Sequence, residues 1–268
     1  MNTPKTPLSS LQNERIKQCI KLQQRSRSRK QSGLFCIEGA REIERAILGG
    51  YVVEQYFRST ANEASLDNYA NILADISSKT VWVTPKIMEE LCYRESTSIL
   101  AVARQKKHDF SAVEFQPDGL YLLVEGIEKP GNLGALLRTA GGIGLTGVIV
   151  VNKQTDVYHP NCIRNSMGAV FQIPIAVGEF QQLLPLMEEK KLAMIGAALT
   201  PDAIPLHTVA FKRPCIIAVG NEAEGLSNEV LSHCHRVVQI PMKNAIDSLN
   251  VSVAAAIFMY QALQASRN

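Results

Sequence analysis

Residues 124–140 read Val124-Glu-Gly-Ile-Glu-Lys-Pro-Gly-Asn-Leu-Gly-Ala-Leu-Leu-Arg-Thr-Ala140. The stretch leaves an apolar run at 120–124, turns through Pro130-Gly131 and opens a helical pattern near Asn132. Strand, turn and helix in that order form the repeating unit of a parallel α/β sheet. Similar apolar runs recur at 148–151, 173–177, 192–198, 215–219 and 237–240. They are β-branched or aliphatic with little polar alternation, as strands covered on both faces require. Helical stretches intervene at 133–140, 161–167, 179–189 and 248–264. The expected architecture from 119 to 268 is therefore a parallel α/β sheet with helices on both faces.

Upstream the alternation is shorter. A basic helix is expected over 11–31, strands at 34–37, 52–57, 81–83 and 99–103, and helices at 39–48, 63–76 and 86–92. That describes a smaller α/β domain over 1–104. The polar stretch from 105 to 118 has Pro117 and no clear periodicity, and reads as a linker.

The chain has 268 residues, 46% hydrophobic and 20% charged, the balance of a folded globular protein. Its net charge of +3 is unevenly distributed: residues 1–30 hold eight basic residues against Glu14, leaving a mildly acidic remainder. A basic head of this kind suits a polyanion. The longest apolar run, 253–260, is far below the roughly 20 residues of a membrane helix. The first residues lack the apolar core of a secretory signal. Six cysteines without CxxC pairing read as reduced thiols of a cytoplasmic protein. His233-Cys234-His235 has no second ligand pair, so no metal is expected.

Three segments carry the chemistry. In the first, Asn132 and Arg138 follow the carboxyl end of a strand, where open α/β sheets collect ligands. The same residues also fit a helix cap and a surface ion-pair partner. In the second, Gly220-Asn-Glu-Ala-Glu-Gly225 follows a buried strand and presents Glu222 and Glu224. Such a loop repels phosphate and accepts a cationic group, or is simply a solvated turn. In the third, Ile240-Pro-Met242 leads through a loop to Ser248-Leu-Asn250, where Ser248 has the character of an N-cap. Of the 15 residues 249–263, 12 are apolar, so this last helix is expected to be buried all round, in a core or a subunit interface. Gly142-Ile-Gly-Leu-Thr-Gly147 matches GxGxxG only as a string, because it follows a helix and precedes a strand.

Together these segments resemble the SpoU/TrmH family of RNA ribose 2′-O-methyltransferases in the SPOUT superfamily. Asn132-Leu-Gly-Ala135 with Arg138-Thr-Ala140 resembles its first motif, Gly220–Gly225 its second, and Ile240-Pro-Met242 with Ser248-Leu-Asn-Val-Ser252 its third. Arg164-Asn-Ser-Met-Gly-Ala169 resembles the segment between the first two. The N-terminal part is similar to the substrate-binding domain of many members, which has the ribosomal protein L30e fold. Lys129 precedes Pro130 where many members carry an acid, a form that resembles the rRNA-directed, thiostrepton-resistance-like branch.

The resemblance implies a deep trefoil knot in the C-terminal domain and a homodimer whose active site borrows residues across the interface. It implies S-adenosyl-L-methionine as methyl donor, held by Val219, Gly220, Asn221, Gly225, Ile240, Met242 and Leu249. Arg138, Asn132, Glu222, Ser248 and Asn250 are the implied catalytic set. Arg138 is expected to position a phosphate rather than act as base, since a free guanidinium stays protonated to about pH 12. The implied substrate is structured RNA, large-subunit rRNA before tRNA, and neither DNA nor a membrane. The expected RNA-contacting residues are Arg15, Lys17, Lys21, Arg25, Arg27, Arg29, Lys30 and Arg41. A noncatalytic RNA-binding protein on the same scaffold is the alternative of a different class.

Overall fold

A computed structural model of the protein describes residues 6–61, 69, 77–93, 97–153, 155–243 and 248–265. The helix expected at 63–76 falls outside the described residues, apart from residue 69. The chain forms two compact units, Met1–Lys106 with Tyr158–Gln172, and Lys107–Val157 with Ile173–Asn268.

The first unit is built on strands β1 (Leu34–Glu38), β2 (Val53–Ser59), β3 (Thr80–Val83) and β4 (Ile99–Arg104), in the order β1-β4-β2-β3. β4 runs antiparallel to both neighbours, and β2 and β3 are parallel. Helix α1 (Glu14–Gln24) and a later helix, Pro85–Leu91, cover one face. There Ile16, Cys19 and Leu22 meet Cys36, Phe57, Leu100 and Val102 in one core. The single basic helix expected over 11–31 is in fact two. Asn13 caps α1 by accepting from the Arg15 N–H, and extended Arg25 separates it from α2 (Ser26–Ser32).

That break turns Arg29 inward, against its expected role at an RNA surface. Arg29 is 1% exposed, and its Nη1 donates to the Leu22 and Gln23 carbonyls at the end of α1. It locks α2 to α1, so phosphate cannot reach it. Arg15, Lys21, Arg25, Arg27 and Lys30 remain exposed, Lys17 and Arg41 half-buried. Arg29→Ala should cost about 2–3 kcal/mol in urea denaturation, because it removes hydrogen bonds from a charged donor. Arg27→Ala should cost under about 0.5 kcal/mol.

The segment Tyr158–Gln172 also groups with the first unit, although it lies within the stretch expected to form the C-terminal domain. The reason is aromatic. Tyr158 stacks 4.3 Å from Phe35, and Phe171 meets Tyr51 edge-on at 5.1 Å between ring centres.

The second unit is an all-parallel sheet of seven strands: β5 (Leu120–Glu125), β6 (Gly147–Val151), β7 (Ile175–Gly178), β8 (Ala193–Ala197), β9 (Ile204–Pro205), β10 (Cys215–Val219) and β11 (Arg236–Gln239). Only the two-residue β9 was not anticipated. The order is β7-β6-β5-β10-β8-β11-β9, so successive connections leave β5 on one side and return on the other. Every residue of β5, β6 and β10 is buried. Tyr121, Leu123, Ile149 and Ile216 pack on one face against Phe180, Leu183 and Met187 of a helix at Phe180–Glu189. The stretch expected as a linker is built in from residue 108 onward. His108 O accepts from Val177 N, Val113 is part of the same core, and Phe110 and Phe115 pack against it.

Two helices frame the site. The first, Pro130–Ile143, starts at the proline, two residues earlier than expected; Pro suits the first helical position because its missing N–H has no partner there anyway. Gly144 ends it, accounting for the GxGxxG string as a helix stop. The second is Val251–Ala265, packed against the first helix and β10. Val251, Ala255, Phe258, Met259 and Ala262 are buried, but Val253, Ile257 and Tyr260 are exposed. The helix is therefore covered on one side only, and its open side is also apolar.

Candidate active site

The carboxyl ends of β8, β10 and β11 and the start of the Pro130–Ile143 helix enclose a cleft of about 650 Å³. It lies where the strand order reverses beside β5, the position at which open α/β sheets bind ligands.

The loop after β10 forms one wall. Asn221 and Gly225 exchange backbone hydrogen bonds of 3.0 Å each way, closing the loop. Asn221 Oδ1 accepts from Ala223 N at 2.7 Å and Glu224 N at 2.9 Å, fixing its interior. Gly220 lies hard against the returning limb: a Cβ on it would fall 2.0 Å from the Gly225 carbonyl and 2.3 Å from Leu226 N. Only glycine fits there, and Gly225 itself has φ +72.

Asn132 joins the three segments. Its Nδ2 donates to Glu222 Oε1, and its Oδ1 accepts from Asn250 Nδ2 at 3.4 Å. Asn132 lies inside the first helical turn, and its side chain is spent on this bridge rather than on a cap. The cap of the last helix is Asn250, not Ser248. Asn250 Oδ1 accepts from Ser252 N at 2.9 Å, and its carbonyl accepts from Val253 N and Ala254 N. Ser248 lines the cleft instead.

Val219, Gly220, Asn221, Gly225, Ile240, Met242 and Leu249 all line the cleft, as do Asn132, Glu222, Ser248 and Asn250. Arg138 does not. It is exposed on the outer side of its helix, with no hydrogen bond or ion pair among the described residues. Sequence reading missed Lys129, Gln239, Phe258 and the residues just after β8, Ala198, Leu199 and Thr200. The last group sits at the carboxyl end of a strand that was recognised, so the strand-end rule applied to every strand would have found it. His235 Nδ1 faces Met194 N at 3.2 Å, and His233 Nδ1 faces Glu229 O at 2.9 Å, so one nitrogen of each ring is engaged by the backbone. Burial, then the Glu125 carboxylate, push the Cys234 thiol up to about 11, leaving it neutral.

The sequence pattern of the SpoU rRNA Methylase family matches residues 119–260, more than half of the chain. The chain belongs to that family. The pattern of the MRM3-like substrate binding domain matches residues 13–101. Among curated relatives, the chain is 27% identical to the 23S rRNA (uridine(2479)-2′-O)-methyltransferase of Streptomyces viridochromogenes, over 98% of this chain and 93% of that protein. The structure of the SpoU methyltransferase AviRb from the same organism, in complex with AdoMet, superposes with a TM-score of 0.86. It is 26% identical and covers 96% of this chain and 99% of that one. A structure described as an RNA 2′-O ribose methyltransferase is 33% identical, with a TM-score of 0.84 over 98% of this chain and 100% of that one. The expected α/β fold is therefore the SpoU methyltransferase fold. Among the described residues, no helix is long and apolar enough to cross a membrane.

Proposed function

We propose that this SpoU-family chain transfers a methyl group from S-adenosyl-L-methionine to a ribose 2′-hydroxyl of large-subunit rRNA, as a cytoplasmic homodimer. The observation that carries the proposal is the bridge from Asn132 to both Glu222 and Asn250 at the rim of one cleft. A scaffold kept only for binding RNA has no need of that polar set.

The residues fit the methyl donor. The cleft is in the size range of small-molecule sites. Its floor includes a Gly220 that leaves no room for a side chain, so a ligand meets backbone there. Val219, Ile240 and Leu249 supply apolar surface for an adenine ring, with Met242 beside them. Glu222 and Glu224 bring negative charge, which suits a sulfonium. S-adenosylmethionine bound there supplies an electrophilic methyl group on a good leaving group. The chain's own task is alignment, which in favourable cases is worth roughly 7–11 kcal/mol of barrier. Asn132 holds the tip of the second-motif loop through Glu222, while Ser248 and Asn250 stand at the ribose side. Arg138 orients a phosphate of the RNA.

Two exposures support the dimer. Val253, Ile257 and Tyr260 form an apolar stripe on the last helix, which packs beside the Arg138-bearing helix. Arg138 is outside its own cleft and open to solvent. A second copy seated on this stripe covers apolar surface and brings Arg138 to the partner's cleft. The trefoil knot of the family completes the proposed C-terminal domain. Ile257→Asp should convert the dimer to monomer in sedimentation velocity; a wild-type chain that sediments as a monomer would remove the shared-site proposal.

The exposed Arg15, Lys21, Arg25, Arg27 and Lys30, with Lys17 and Arg41 beside them, supply the salt-sensitive attraction to RNA. Mapping 2′-O-methylation across rRNA and tRNA in cells with and without the protein tests the whole reading. One rRNA position lost in its absence supports it; a tRNA position redirects it. Calorimetry with S-adenosylmethionine separates enzyme from binding module: no heat from the folded protein favours the latter.

A further inference from the structure

Glu125 is the last residue of β5, only 5% exposed, and absent from the cleft lining. One carboxylate oxygen accepts from Asn152 Nδ2 at 3.0 Å, just past the end of β6. The other accepts from the backbone N–H of Ser227 at 2.8 Å. Ser227 precedes a short helix, Asn228–Ser232, and its hydroxyl caps that helix by accepting from Val230 N. Its own N–H lies ahead of the helix and has no helical partner, and the acceptor it meets is the Glu125 carboxylate.

Ser227 lies two residues beyond Gly225, at the exit of the loop that walls the cleft. The entrance of that loop is Gly220, pressed against the exit limb at Gly225 and Leu226. The two limbs have no slack between them, so a displaced exit displaces the entrance. Asn221 sets the shape of the loop from within, and Asn132 holds its tip through Glu222; Glu125 ties its exit limb to the end of β5.

We infer that Glu125 is a positioning residue: through the Ser227 N–H it holds the Gly220–Gly225 loop in the place where it receives the methyl donor. The inference rests on the donor-site reading above. A carboxylate suits the task because two donors face two acceptor oxygens. A glutamine would turn its own NH₂ group toward one of them.

The test compares Glu125→Gln with Asn152→Gly. Asn152 has φ +49, which glycine accepts; the second variant removes the donor on the other oxygen, together with the acceptor that Asn152 Oδ1 offers Phe180 N at 3.3 Å, and leaves the Ser227 bond in place. In Glu125→Gln the KM for S-adenosylmethionine should rise about tenfold, roughly 1.4 kcal/mol. Its kcat on in vitro-transcribed large-subunit rRNA should change by less than about threefold, and amide exchange over residues 220–227 should quicken. Asn152→Gly should leave the donor KM within about twofold of wild type. The inference is overturned if Glu125→Gln leaves both donor KM and exchange unchanged. It is equally overturned if Asn152→Gly raises the donor KM as much, or if kcat falls while the donor KM does not. Donor binding by the wild-type protein tests the site reading separately, and exchange at 220–227 reports on Glu125 whether or not the donor binds. If Glu125→Gln fails to fold, Ser227→Pro removes the same N–H at a φ of −63 that proline accepts. An unchanged donor KM in that variant also overturns the inference.

Discussion

Arg138→Ala should reduce methyl transfer by at least about 10²-fold, the scale lost when a reacting group is displaced by about 1 Å, while donor affinity stays within about twofold of wild type. The structure gives both halves of that expectation. Arg138 lines no part of the cleft in its own chain, so removing it deletes nothing around the donor. It is exposed and unpaired among the described residues, so its loss leaves no orphaned partner and little change in Tm. Such a residue matters only if something docks against it, and the proposed dimer supplies the partner's ribose site. Mixing sharpens the test. Arg138→Ala and Asn250→Ala chains, each inactive alone, should regain activity when combined and exchanged, because some mixed dimers then hold one intact site. No recovery on mixing would place Arg138 in the site of its own chain, and equal loss of donor binding would assign it to folding.

Gly220→Ala should abolish measurable donor binding, about 10²-fold or more, with only a modest fall in Tm. A methyl group at this position would overlap backbone atoms, and backbone cannot rotate aside as a side chain can. Forcing extra atoms into packed structure costs roughly 1–3 kcal/mol in a core that can adjust. Here the adjustment is to open the loop, which breaks the paired Asn221–Gly225 hydrogen bonds and unseats Asn221 Oδ1 from the Ala223 and Glu224 amides. Calorimetry with S-adenosylmethionine reads the loss directly. Donor affinity within threefold of wild type would mean that this loop does not hold the donor.

The strands were legible because burial on both faces leaves a signature independent of distant partners: unbroken aliphatic runs at 120–124, 148–151 and 215–219. The cleft was legible because strand-end loops carry chemistry by their position in the chain order. Orientation was not. Whether Arg29 faces solvent depends on the break at Arg25, a single extended residue that helical periodicity does not reveal. Whether Asn132 caps its helix or reaches Glu222 depends on a contact 90 residues away in sequence. Composition predicts a last helix buried throughout because it counts apolar residues, not the side each one faces; the exposed stripe of Val253, Ile257 and Tyr260 is set by how the helix packs. Pairing of 158–172 with the first unit rests on aromatic contacts between distant segments, which no local pattern encodes.

That aromatic pairing has a consequence for how the polypeptide is made. The first unit draws its packing from both ends of a stretch that runs to Gln172, so translation must pass well beyond residue 106 before Phe35 and Tyr51 find Tyr158 and Phe171. By then β5 and β6 have also emerged. The first unit of a nascent chain therefore cannot finish packing ahead of the second, and the order of synthesis delays its completion until the parallel sheet is under construction.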